Sequence, residues 1–135
     1  MRLTRPLLPA SILVLVLVLA GCSRTKAPYD VTADPYLPTQ VQIADKSLAN
    51  RLAFQPPRAA RDDAGLLYIT VPVRAATNRR QIIQYRFTFF DETGRPLPGG
   101  AFQTQTLESN TFANIQGNST SPSADSYQVE IRESR

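Results

Sequence analysis

Gln81-Ile82-Ile83-Gln84-Tyr85-Arg86-Phe87-Thr88-Phe89-Phe90 reads as a β-strand and sets the class of the whole chain. Ile83, Tyr85, Phe87 and Phe89 fall on one side of an extended backbone, with Arg86 and Thr88 on the other, because successive side chains alternate. Aromatic and β-branched residues suit a half-buried pleat, so this strand is expected to carry the middle of a core. Asp91-Glu92-Thr93-Gly94 follows directly. Asp first and Gly fourth is a type I turn pattern, with glycine relaxed at positive φ, and it should reverse the chain.

Working upstream, Leu66 to Ala76 (LLYITVPVRAA) alternates in the same way, with Leu67, Ile69, Val71, Val73 and Ala75 on one face. Tyr68, Thr70, Pro72 and Arg74 take the other. Pro72 cannot donate to a ladder, so an edge position or a bulge is expected there. Val41–Ile43 and Leu52–Gln55 are two further short strands, the second stopped by Pro56-Pro57. Between them, residues 45–50 form a turn or a single helical turn. Arg58 to Asp63 reads as a polar connection, and 62–65 as a turn. Downstream, Ala101–Leu107 has strand propensity without a decided inner face. Ser109-Asn110 is a turn, Thr111–Gln116 a short strand, and Gly117–Asp125 a flexible polar loop. Tyr127, Val129 and Ile131 alternate with polar residues in a closing strand. About seven short strands, joined by Pro, Gly, Asn and Asp turns, predict an all-β fold, a single immunoglobulin-like β-sandwich.

The N-terminus has a different texture. Arg2 and Arg5 precede an apolar run, Ile12 to Ala20, that is shorter than the roughly 20 residues a spanning helix needs. It ends in Leu19-Ala20-Gly21-Cys22, a lipobox: small residues at the scissile bond and a thiol to accept a diacylglyceryl group. Residues 1–21 are thus read as a cleaved lipoprotein signal peptide, and Cys22 as the acylated first residue of the mature chain. Two or more acyl chains anchor a protein stably. Ser23 stands where an Asp would signal inner-membrane retention, which in a Gram-negative host favours the outer membrane, facing the periplasm. Residues 22–40, with Pro28, Pro35 and Pro38, are read as a tether, and 41–135 as the sandwich domain.

Taken together, the lipobox, the tether and Tyr85-Arg86-Phe87-Thr88-Phe89-Phe90-Asp91-Glu92-Thr93-Gly94 resemble the YcfL-like family of small bacterial lipoproteins, which has a YRF-x-aromatic-aromatic-D-x-x-G core. The Leu107 segment, Ile115, the Pro122 loop and the closing strand fit the same likeness, over roughly residues 41–133. The chain departs from the family at Phe89, where members often have Trp, and at Ala75, where they often have Asn. The resemblance implies a compact β-sandwich on a lipid anchor and no particular activity.

The residue inventory narrows the chemistry. There is no histidine, so no Ser-His-Asp or Cys-His triad, and the sole cysteine is assigned to the anchor, which excludes a zinc-thiolate site in the mature form. No phosphate-binding glycine loop occurs, and no cofactor is implied. Asp62-Asp63 and Asp91-Glu92 are paired carboxylates, yet both sit at turn signals where Asp caps its own backbone. With the signal removed, 13 basic face 11 acidic side chains, too even a balance for a nucleic-acid binder. Arginine is uneven, however, and Arg74, Arg79, Arg80 and Arg86 would make a basic contact patch if one face or edge held them all. The expected function is a non-enzymatic cell-envelope binding module, held to the membrane by its N-terminal lipid and meeting an envelope protein partner by strand addition at the edge marked by Pro72. The alternative is a carboxylate-dependent enzyme acting on cell-wall material.

Overall fold

A computed structural model of the chain describes residues 36–135. The lipobox residues Leu19, Ala20, Gly21 and Cys22 lie outside the described residues. Among the described residues, eight strands and one helical turn follow in order: β1 Val41–Ile43, α1 Lys46–Ala49, β2 Leu52–Phe54, β3 Arg58–Arg61, β4 Leu67–Ala75, β5 Gln81–Phe90, β6 Gln103–Leu107, β7 Ala113–Asn118 and β8 Ser126–Glu133. They form two sheets. One has the order β1-β8-β5-β6; in the other, β4 pairs with β7 on one side and with β2 and β3 on the other. This is an all-β sandwich. It has the two-sheet architecture of immunoglobulin-like domains with a strand order of its own.

The core follows the alternation of the two central strands. Ile83, Tyr85, Phe87 and Phe89 of β5 pack towards Leu67, Ile69, Val71 and Val73 of β4, and Val129, Ile131, Ile115 and Leu107 complete the layer. The open inner face of β6 is also settled: Leu107 is fully buried, so Phe102, Thr104 and Thr106 face outward. Gly117 belongs to β7 rather than to a loop. A Cβ there would overlap the Phe87 ring. Glycine is thus what lets the two sheets meet at their most aromatic point.

One expectation is overturned and another holds in part. Arg58–Arg61, read as a connection, is a strand, because its backbone pairs with β4 from Arg58↔Thr70 to Arg61↔Leu67. Of the edge or bulge expected at Pro72, the edge is not found, because β4 has β7 on one side and β2 and β3 on the other, and the irregularity takes the form of a bulge-like offset beside it. Gln55 N–H donates to the Pro72 carbonyl at 3.1 Å, so the donor Pro72 lacks points to the same side, at the break holding Pro56 and Pro57. Phe54 pairs with Val73 and Arg58 with Thr70, so four steps on that side match three on β4. The prolines answer one another across the sheet, and the one-residue offset sits on the neighbouring strand.

The body also begins earlier than the sequence divides it. Pro38 is fully buried, and the Gln40 carbonyl accepts from Val129 N–H at 2.8 Å.

Candidate interaction surfaces

The outward face of the β5 sheet carries an ordered ladder. Register sets Gln84 beside Arg132, Arg86 beside Glu130 and Thr88 beside Gln128. Arg86 Nη2 reaches Glu130 Oε2 at 2.6 Å, and Arg132 Nε donates to Gln84 Oε1 at 2.9 Å. Phe102, from the segment entering β6, lies over both guanidinium groups, with its ring centroid 3.6 Å from Arg132 Cζ and 4.6 Å from Arg86 Cζ. Stacking holds a planar cation while leaving its edge N–H groups able to donate. Arg86 is 41% exposed and Glu130 40%, so the ladder is open to solvent even though Arg86 Nε is buried without a hydrogen-bond partner. Exposed ion pairs of this kind add little stability, so what the ladder supplies is geometry.

A second network joins the sheets where β2, β5 and β8 meet. Arg51 bonds Gln81 Oε1 at 2.9 Å and both Glu133 oxygens at 3.2 and 3.3 Å. The guanidinium bonds, first of all, hold the Glu133 carboxyl below its ordinary range. Beside it an open polar hollow of about 740 Å³ is lined by Ala44, Asp45, Gln84, Arg132, Glu133 and Arg135. Both charge signs line it.

The four arginines singled out by sequence do not share a face. Arg74 lies on the outward side of β4 and Arg86 on the outward side of β5, which are opposite sides of the sandwich. Arg79 and Arg80 sit in the β4–β5 connection at one end. Arg74 packs on Phe112 with its Cζ 5.4 Å from the ring centroid. What surrounds Arg86 is instead Glu130, Phe102 and Arg132. Those three were missed because they come from segments far apart in sequence.

The carboxylate pairs form two copies of one device. Asp62 N–H donates to Leu66 O and Gly65 N–H to Asp62 O; Asp91 N–H donates to Arg95 O and Gly94 N–H to Asp91 O. Gly65 and Gly94 take φ of 77° and 78°. Each is a type I turn closed by a left-handed glycine. Asp62 Oδ1 accepts from Ala64 N–H and Leu66 N–H, and Asp91 Oδ1 from the N–H groups of Thr93 and Arg95 and the Thr93 hydroxyl. The Thr93 hydroxyl, ahead of the backbone donors, keeps the Asp91 carboxyl below its usual value. A carboxylate so held accepts hydrogen bonds and is a poor proton donor near neutrality.

Residues 39–133 match a family described as "Protein of unknown function (DUF1425)". The chain belongs to the DUF1425 family. Two solved structures share the fold of this DUF1425 domain. The crystal structure of Campylobacter jejuni cj0090 is 15% identical, with a TM-score of 0.57 over 70% of this chain and 98% of that one. A DUF1425 family member from Shewanella sp. pv-4 is 19% identical, with a TM-score of 0.55 over 62% of this chain and 79% of its own. No curated protein matches the chain. Among the described residues of the DUF1425 domain, no helix is long and apolar enough to cross a membrane, and no three His, Cys, Asp or Glu are grouped to hold a metal.

Proposed function

We propose that this DUF1425 protein is a lipid-anchored, non-enzymatic binding module of the cell envelope. On this reading the chain is cut after Leu19-Ala20-Gly21, acylated at Cys22 and held at the outer membrane facing the periplasm, as the likeness to YcfL-like lipoproteins suggests. The observation that carries the binding role is the Arg86–Phe102–Arg132 ladder with Glu130, an ordered, solvent-facing set of cations that little else in the domain needs. A stacked, oriented guanidinium suits carboxylates, so the partner expected is a protein with an acidic segment. The turn geometry of Asp62 and Asp91 argues against the carboxylate enzyme, since both are engaged by their own backbones.

Photo-crosslinking from Gln42, Gln84 and Gln128 in living cells tests the reading. These positions are expected to give one reproducible protein adduct, lost in Arg132→Ala and in Phe102→Ala, while a probe at Thr70 on the opposite face gives none. No adduct from any of the three, or the same adduct from Thr70, would sink it. Cys22→Ser should abolish incorporation of a labelled fatty acid and release the protein from membranes.

A further inference from the structure

We infer that the edge strand β3 is a self-association site, through which two copies of this chain pair antiparallel about Ala60 and join their β4 sheets into one. The inference starts from which backbone groups are free. Asp62 N–H donates to Leu66 O, so the even residues of β3 face β4, and the N–H and C=O of Ala59 and Arg61 point outward. No hydrogen bond to those outward groups is made by the described residues. The β6 edge is treated differently: Gln105 Nε2 donates to the outward Thr106 carbonyl at 2.9 Å.

All four β3 residues are exposed, and Tyr68, their outward neighbour on β4, is turned to Gln116 by a 3.2 Å bond. Arg61, whose charge would guard the edge, is turned inward, where it donates to Gly65 O at 2.9 Å and Ala124 O at 2.6 Å.

The sequence Arg58-Ala59-Ala60-Arg61-Asp62 is self-complementary in one register. Antiparallel hydrogen bonds need outward groups opposite outward groups, a condition met when Ala59 pairs with Arg61 of the second copy and Arg61 with its Ala59. That puts Ala60 against Ala60 on the two-fold axis, where the small side chains allow close approach. It also puts Arg58 directly opposite Asp62 of the other copy, twice. Among the described residues the Arg58 guanidinium has no ion-pair or hydrogen-bond partner, and the Asp62 side chain uses only Oδ1 in its turn, leaving Oδ2 to accept. Opposite charges facing across strands stabilise pairing, and a two-fold interface must complement itself in this way. An edge this short makes a small interface, so the dimer belongs to the weak class.

Cysteine scanning in the full-length chain, with Cys22 retained throughout as the background, reads the register. Across the axis, residue 60 meets its copy at a Cα separation of about 4.5 Å, within disulfide range, whereas residue 59 is about 8 Å from its own copy. Under mild oxidation, Ala60→Cys is expected to give about tenfold more covalent dimer than Ala59→Cys or the parent chain. Adding Arg58→Glu, which sets like charges opposite each other twice, should cut that yield about tenfold. Circular dichroism confirms that each variant is folded. A folded Ala60→Cys chain that stays monomeric, equal crosslinking at 59 and 60, or a yield indifferent to Arg58→Glu each overturns the proposal.

Discussion

The two sheets solve the same problem unequally. In the β5 sheet the central strand is accompanied along eight consecutive residues by β8 and along five by β6, with no proline in any of the three. In the β4 sheet the central strand shares one flank between two fragments, with a register offset and three prolines at the break. Both have the same inward alternation, so both contribute to the core. The difference lies in the ladder, and it teaches that side-chain burial and backbone continuity are separable requirements. A strand can lose a stretch of its hydrogen-bonded neighbour if the residues at the gap have no donors to leave unpaired.

The comparison breaks most visibly where the sheets touch. Phe87→Ala empties the space between them and is expected to cost about 3–5 kcal/mol in urea unfolding. Gly117→Ala acts on the same contact from the β4 sheet by overfilling it, at about 1–3 kcal/mol. Adding Phe87→Leu should recover part of that loss, and simple additivity of the two would show that the ring and the glycine are not coupled.

The twin turns sharpen it further, since one serves each sheet. Asp91→Ala removes an acceptor for three donors and Asp62→Ala an acceptor for two, so the first is expected to lower the thermal midpoint more, both by less than Gly117→Ala. An equal shift would mean that the Thr93 hydroxyl contributes nothing.

The smallest effect is on pH. Asp91 and Glu133 have carboxyls lowered in the folded state from 3.8 and 4.5. A lowered folded value means that the native state holds fewer protons, so stability is fully present above those values and is lost as pH falls through the lower folded ones. Arg51→Ala should therefore lower the neutral plateau of a stability–pH curve slightly and leave its acid end unchanged, so that the limb below about pH 4.5 is flattened.

Much of this was legible in the chain. Residues 81–90 are a strand with the inner face that their alternation predicts, and the D-x-x-G turns stand where glycine and aspartate signal them. Arg58–Arg61 was not legible, because Arg-Ala-Ala-Arg has neither alternation nor β-branching, and pairing with β4 alone makes it a strand. Pro72 announces a missing donor, but the matching gap lies fifteen residues upstream and depends on registry. The arginine patch failed because adjacency in sequence says nothing about which of two sheets a strand joins. The Arg86–Phe102–Arg132 ladder needs three strand pairings before its members become neighbours.

One feature of the β5 sheet bears on mechanics. β1 runs parallel to β8, held by bonds from Val129 N–H to Gln40 O and from Ala44 N–H to Ile131 O. A pull from the N-terminal side, resisted at the C-terminal end of β8, therefore drags the two strands lengthwise past each other. Their bonds must then stretch together instead of parting one by one. A domain tugged by its leading end is braced along the direction of the force.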